Sequence, residues 1–103
     1  MASGAGARDG SPDASTLVVS CLNVGMMEAN AFGRRQDAFV GQLGYQVAGW
    51  LTEEPGSAAV VGLNEIHPSI AKKLEDNLKQ VRGLHEVMKA TVGTDSLFWR
   101  FPR

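Results

Sequence analysis

The chain has 103 residues, of which 44% are hydrophobic, and its 10 Lys and Arg against 11 Asp and Glu give a net charge of −1. This length allows one domain or part of one, with enough apolar material for a core. The near-neutral balance argues against a free-standing nucleic-acid binder, which usually carries a basic surplus. One cysteine excludes an intrachain disulfide, and no apolar run approaches the roughly 20 residues of a membrane span.

The first 15 residues differ in composition from the rest of the chain. They are rich in Gly, Ala and Ser, and they lack the apolar segment of a secretory signal. We therefore predict a disordered leader over residues 1–15 and an ordered domain over residues 16–103. The sequence indicates no particular cellular compartment.

The ordered region begins with a predicted strand and a predicted helix. Residues 16–24 are β-branched and almost continuously apolar, which is typical of a strand buried on both faces. Within this strand Cys21 is expected to be a small buried side chain, and Gly25 is expected to end the strand. Residues 35–53 follow a helical period, and six apolar residues form its stripe: Phe39, Val40, Leu43, Val47, Trp50 and Leu51.

The second half of the chain repeats this alternation. Residues 58–66 predict another buried strand, and Pro68 is well placed to begin a helix that Gly83 would cap. The apolar face of this helix contains Ile70, Leu74, Leu78 and Val81, and its solvated face contains Lys72, Lys73, Glu75 and Asp76. Residues 85–92 and 96–101 predict two further strands. The order strand–helix–strand–helix–strand–strand indicates an α/β (α+β) fold.

Two polar residues lie at the ends of the first two predicted strands. If these strands are parallel and joined by a crossover, Asn23 and Glu65 emerge at the same edge of the sheet, where ligands of open α/β sheets bind. A carboxylate beside an amide suits Mg²⁺, which binds one or two carboxylates together with water and phosphate oxygens. The alternatives are that Asn23 bonds nearby backbone, that Glu65 is simply solvated, and that His67 caps the following helix.

The context of these two residues resembles a known superfamily. Leu22-Asn23-Val24-Gly25 is similar to the first-strand motif of the endonuclease/exonuclease/phosphatase superfamily, and residues 59–67 resemble its second motif, an apolar strand leading through Leu-Gln-Glu-Val. The resemblance implies two packed β-sheets flanked by helices, and metal-dependent hydrolysis of phosphodiesters or phosphomonoesters with Mg²⁺ or Mn²⁺. It also implies that Glu65 binds the metal and that the Asn23 amide organises the metal and the scissile phosphate.

The chain also departs from the superfamily pattern. Asn64 stands where glutamine is common, and Leu22 stands where an aromatic residue often precedes the asparagine. The later Asp-x-Asn and Ser-Asp-His segments have no counterpart, because His67 and His85 occur in other contexts. We therefore expect residues 16–103 to be a partial domain with an incomplete metal site: the N-terminal portion of a phosphoesterase, inactive alone, whose phosphate-ester substrate the sequence does not specify. The alternative is a small non-catalytic α/β binding or interaction module.

Overall fold

The predicted order of elements is confirmed by a computed structural model, which describes residues 16–102. Its elements are β1 (Leu17–Met26), a short 3₁₀ turn (Gly33–Arg35), α1 (Gln36–Thr52), β2 (Ala58–Ile66), α2 (Pro68–Leu78), β3 (Met88–Val92) and β4 (Asp95–Arg100). The α/β class is therefore confirmed. The leader predicted for residues 1–15 lies outside the described residues.

The strands form one mixed sheet with the order β1-β2-β4-β3. As predicted, β1 and β2 are parallel, with Leu17 opposite Ala58 at one end and Asn23 opposite Asn64 at the other. β4 is antiparallel to both β2 and β3. Every strand described between residues 16 and 102 belongs to this sheet, so the second sheet and the incompleteness implied by the resemblance stay predictions.

Both helices pack on one face of the sheet, which we call the inner face. The predicted helical stripes supply most of the core: Val40, Leu43, Val47 and Leu51 from α1, and Ile70, Leu74 and Leu78 from α2. They meet inward side chains of the strands, including the fully buried Phe98. Phe39, Trp50 and Val81 are only partly buried against this core. Each fully buried aliphatic or Phe side chain contributes about 1.5–3 kcal/mol, so this layer stabilises the described fold.

The opposite surface of the sheet, which we call the outer face, is exposed. Its residues are Leu17, Val19, Cys21 and Asn23 on β1, Ala58, Val60, Gly62 and Asn64 on β2, Asp95, Leu97 and Trp99 on β4, and Met88, Ala90 and Val92 on β3. Val19 is 60% exposed and Val92 is 81% exposed. The prediction that β1 is buried on both faces is therefore wrong, as is the prediction that Cys21 is buried, because both helices cover the same side of the sheet.

Gly62 creates a depression near the centre of the outer face. A Cβ at this position would lie 3.4 Å from Leu97 Cδ2 and 3.7 Å from Cys21 Sγ. The depression forms part of a cavity of about 360 Å³ that also includes Ala90 and Val92. The middle of the apolar surface is therefore concave.

Three predicted boundaries differ from the structure. Gly25 does not end β1, which continues to Met26 with Gly25 at a φ of 72°. α2 ends at Leu78 instead of near Gly83, because a series of tight turns begins there, with Val81 N–H donating to the Leu78 carbonyl at 3.0 Å. β3 begins at Met88, three residues later than predicted.

A buried arginine caps the C-terminal end of α1. Arg100, the last residue of β4, is 5% exposed. Its guanidinium donates hydrogen bonds to the backbone carbonyls of Leu51, Glu54 and Ser57. These carbonyls lie in the last turn of α1 and the loop to β2, where helices leave acceptors without backbone partners. Arg100 thus connects the C-terminal end of β4 to the C-terminal end of α1.

Candidate functional site

The carboxyl edge of β1 and β2 contains the two residues singled out by the sequence. Asn23 lies directly opposite Asn64, the residue that precedes Glu65. Asn23 is exposed and Glu65 is half-buried. The parallel pairing therefore brings the two polar positions to one edge of the sheet, although 41 residues separate them in the chain.

A bulge reshapes this edge. Between the pairs Asn23–Asn64 and Met26–Ile66, β1 has two residues and β2 has only one, Glu65. Glu65 has a φ of 55°, a left-handed conformation that costs a residue with a Cβ about 1–2 kcal/mol. The neighbouring backbone holds it there, with Ile66 N–H donating to the Thr94 carbonyl at 2.8 Å and His67 N–H donating to the Met26 carbonyl at 2.7 Å. Bulges of this kind redirect side chains and are common beside active sites.

A second carboxylate, which the sequence did not suggest, lies along the same edge. Asp95 is the first residue of β4, and Asn64 Nδ2 donates to its Oδ1 at 3.4 Å. In the sequence Asp95 lies between two predicted strands, and its position at this edge follows only from the antiparallel register of β4 against β2. The strand register thus places Glu65 and Asp95 at the same edge of the sheet as Asn23 and Asn64.

These groups match the ligand chemistry of a hard cation. Carboxylate and amide oxygens are ligands that Mg²⁺ accepts, with water and substrate oxygens completing its shell. No group of three His, Cys, Asp or Glu side chains suited to a metal ion occurs among residues 16–102. A cation at this edge would therefore depend on Glu65 with one further carboxylate or amide, and on ligands from outside the described residues.

His67 occupies the N-cap position of α2. Its Nδ1 accepts a hydrogen bond from the Ser69 backbone N–H at 3.1 Å, and Pro68 begins the helix. The alternative interpretation of His67 as a helix cap is therefore confirmed. The role is structural, because the ring nitrogen nearest the backbone is already engaged in satisfying a free N–H of the first helical turn.

The loop between β1 and α1 lies at the same edge and is held by one buried side chain. Gln36, which is 6% exposed, donates from Nε2 to the carbonyls of Ala29 and Ala31, each at 2.9 Å. Its Oε1 accepts a hydrogen bond from Lys73 Nζ at 2.6 Å. Both hydrogens and the oxygen of the Gln36 amide are thus engaged, and the loop is anchored to both helices.

The charged face predicted for α2 is confirmed as solvated at Lys72, Lys73 and Asp76, whereas Glu75 is half-buried. Lys72 bonds Asp76 at 2.9 Å, and this hydrogen bond, together with the charge of Asp76, raises the pKa of Lys72 above its usual value. Glu75 lies within ion-pair distance of Lys79 and Lys89. The charges of α2 therefore pair with one another and with Lys89 of β3.

Comparisons of the chain with protein-family models, curated proteins and solved structures found no match. The likeness to the endonuclease/exonuclease/phosphatase superfamily therefore rests on the residues around Asn23 and Glu65 alone. Among residues 16–102, neither helix has the length and apolar character needed to cross a membrane.

Proposed function

We propose that this chain is the N-terminal portion of a phosphoesterase that depends on Mg²⁺ or Mn²⁺. The observation that carries the proposal is the carboxyl edge of the parallel strands, where Asn23 lies opposite Asn64 and Glu65 lies opposite the β-bulge of β1 with a left-handed backbone. A glutamate kept in an unfavourable backbone conformation at this position is typical of a functional side chain.

The proposed roles follow from the chemistry of the groups. When bound, the metal would stabilise charge that develops on the phosphate. Glu65 would hold the metal through its carboxylate, and the exposed Asn23 amide would donate a hydrogen bond to a phosphate oxygen. The N-terminal end of α2 lies just beyond Glu65, where the helix dipole favours a negative charge nearby.

The chain alone is expected to be a poor catalyst. His67, which follows this edge in the chain, has its Nδ1 engaged by the Ser69 N–H as the cap of α2. The superfamily resemblance assigns water activation to later histidine and aspartate segments, which have no counterpart here. Hydrolysis would then require residues that this chain does not supply.

The outer face supports the two-sheet architecture that the proposal implies. Apolar side chains from β1, β3 and β4 are exposed there, including Leu17, Met88 and Leu97, each at least 45% exposed. In a β-sandwich a second sheet packs about 10 Å from the first and covers such a face. We propose that the rest of the phosphoesterase covers it in this way.

Metal binding at the edge provides a direct test. In ¹⁵N-labelled chain, added Mn²⁺ should broaden the amide signals of residues around Asn23, Glu65 and Asp95 before any others. Glu65→Gln should abolish this selective broadening, whereas Glu53→Gln, which alters an exposed carboxylate after α1, should not. If the selective broadening were the same in Glu65→Gln as in the original chain, a metal role for this residue would be disproved.

The size of the native protein tests the claim that the chain is a portion of an enzyme. An antibody raised against the exposed face of α2 should detect a protein much larger than 11.0 kDa in the source cells. That protein, once isolated, should hydrolyse a phosphate ester only when Mg²⁺ or Mn²⁺ is present. A detected mass of 11.0 kDa would contradict the proposal.

The second candidate is a small non-catalytic binding or interaction module. The exposed outer face favours it as well, because a contiguous apolar surface commonly marks a protein interaction site. Under this alternative the chain unfolds cooperatively by itself, and its thermal midpoint responds to neither Mg²⁺ nor Glu65→Gln.

A further inference from the structure

A cavity lies beside the candidate site, at the start of α1. Its volume is about 440 Å³, and it is lined by Phe32, Arg35, Ala38, Phe39 and Gln42. The rings of Phe32 and Phe39 meet edge to face, with centroids 4.6 Å apart and an interplanar angle of 67°. Small-molecule sites commonly measure roughly 300–1,000 Å³, so this cavity suits one planar ring system with a substituent.

Phe32 is held in this cavity by the surrounding chain. Its φ of 67° is left-handed, which is unusual for a bulky side chain. The hydrogen bonds from buried Gln36 to Ala29 and Ala31 fix the loop that precedes it. Nevertheless the Phe32 residue remains 49% exposed. An unfavourable backbone conformation that leaves an aromatic ring half in water is poorly explained by core packing.

Two arginines follow this ring closely in the chain, and one of them, Arg35, lines the cavity. Arg34 and Arg35 follow Phe32 in the 3₁₀ turn, and both are exposed. Within the part of the chain that the structure describes, neither arginine forms an ion pair, whereas the nearby Lys73 is paired with Asp37 at 3.3 Å. Arginine binds phosphate through paired N–H groups.

These groups together suit a nucleotide. Aromatic rings and guanidinium planes stack on nucleobases, and the amide of Gln42 can both donate to and accept from the edge of a base. A lipid tail would not require the arginines. A net charge of −1 argues against a protein that binds many phosphates along a nucleic-acid strand. We therefore limit the ligand to about one nucleotide unit.

We propose that this cavity binds a single nucleotide unit, with the base against Phe32 and Phe39 and the phosphate at Arg34 or Arg35. The unit is either a free nucleotide or the end of a nucleic-acid strand. Assigning it as the substrate rests on the proposed function, because the cavity and Glu65 lie at the same edge of the sheet. Binding in the cavity requires no metal.

Titration of AMP into ¹⁵N-labelled chain, with EDTA present, tests this proposal. Signals from the 3₁₀ turn and the start of α1 should shift and saturate. Phe32→Gly removes the ring while suiting the left-handed backbone, and it should weaken binding at least fivefold, since one stacked base contributes about that or more. Arg35→Gln should also weaken binding. Tyr45→Ala, which removes an exposed ring on the same helix but outside the cavity, should have no effect.

Ligand analogues define the remaining outcomes. Ribose 5-phosphate lacks the base and adenosine lacks the phosphate, so each should bind more weakly than AMP. A short single-stranded oligonucleotide that binds more tightly than AMP would identify a strand end as the source. No saturable AMP shift, equal binding by Phe32→Gly, or equal binding of phenyl phosphate would overturn the proposal. Glu65→Gln should lose Mn²⁺ binding but retain AMP binding. Failure of the metal proposal can therefore be distinguished from failure of the nucleotide proposal.

Discussion

Two non-glycine residues between positions 16 and 102 have positive φ angles, and both lie at the carboxyl edge of the sheet. They are Phe32, at 67°, and Glu65, at 55°. Each such conformation costs about 1–3 kcal/mol and persists only where the surrounding structure enforces it. Here the anchored loop enforces the first and the hydrogen bonds around the bulge enforce the second. Strain in this molecule is therefore concentrated beside the polar groups.

Two substitutions of Glu65 should separate the energetic cost of its left-handed backbone from the proposed metal-binding role of its carboxylate. We expect Glu65→Gly to raise the free energy of unfolding by about 1 kcal/mol, because glycine adopts the left-handed conformation without a steric penalty. Glu65→Gln should leave the free energy of unfolding nearly unchanged, because its Cβ remains. Urea denaturation followed by circular dichroism measures both.

The two substitutions should agree in function while differing in stability. Both remove the carboxylate, so both should eliminate selective Mn²⁺ broadening at the edge. If Glu65→Gly were less stable than Glu65→Gln, the left-handed backbone would not be a source of strain at this position.

At the scale of elements, α1 depends on tertiary contacts. It contains Gly41, Gly44 and Gly49, and each glycine in a helix interior costs about 1 kcal/mol relative to alanine. Its stability therefore comes from the buried stripe on the inner face and from the Arg100 cap at its end.

Alanine substitution in α1 should stabilise the chain. A Cβ at Gly41 or Gly49 would meet no atom within 4 Å, so Gly41→Ala and Gly49→Ala should each raise the free energy of unfolding by about 1 kcal/mol. Gly25→Ala, at a φ of 72°, should lower it despite similar open space. A stabilising Gly25→Ala would contradict the bulge geometry. Equilibrium urea titrations of the three variants provide the comparison.

Removal of the Arg100 cap should destabilise the chain strongly. Arg100→Met keeps most of the apolar stem but leaves the carbonyls of Leu51, Glu54 and Ser57 without this donor. We expect a loss of about 2–4 kcal/mol, since hydrogen bonds to charged groups contribute about 1.5–3 kcal/mol and the abandoned acceptors are largely buried. Arg82→Met, at an exposed position, is the matched control, and thermal denaturation of both variants would show the difference. Equal thermal midpoints for the two variants would show that the Arg100 cap does not stabilise the fold.

The sequence predicted the elements well because their periodicities are strong. The stripes of α1 and α2, the Pro68 start and the two parallel strands are all encoded locally. The roles of Arg100 and Asp95 are not, because each depends on the register of β4, whose partners are distant in sequence. The bulge at Glu65 likewise exists only once β1 and β2 are aligned.

The exposure of β1 shows a different limit of periodicity. A continuous apolar run predicts a strand that needs covering on both faces, but it does not say whether the covering layer is within the same segment of chain. Cys21 and Val19 are exposed because no layer among residues 16–102 packs on the outer face. The apolar run therefore did not predict which face of β1 the helices cover.

At the scale of the whole molecule, the outer face should cause association. Four strands spaced about 4.8 Å apart, each contributing about seven residues of 3.3 Å, span roughly 440 Å². That size matches the largest apolar patches of monomeric proteins but is about half of one side of a standard stable interface. Association should therefore be weak and reversible.

Lysine substitutions on the outer face should suppress this association. Val19→Lys and Leu97→Lys both introduce charge at exposed positions of the sheet, so the fold should be retained while the surface loses its apolar character. Sedimentation velocity at increasing concentrations should show a rising mean mass for the original chain and a constant mass for the double variant. Concentration-independent mass in the original chain would argue that the face does not self-associate.

The missing side chain of Gly62 has a consequence for the proposed second layer on this sheet. A Cβ at Gly62 would contact Leu97 and Cys21, so the absence of this atom leaves space in the cavity of about 360 Å³ that these residues line. A side chain of the proposed second layer that fills this space would fix the alignment of the two layers. If the facing strand shifted by one residue, that side chain would leave the space and a void would remain. The lack of a Cβ at Gly62 would therefore favour one alignment of the proposed second layer over others.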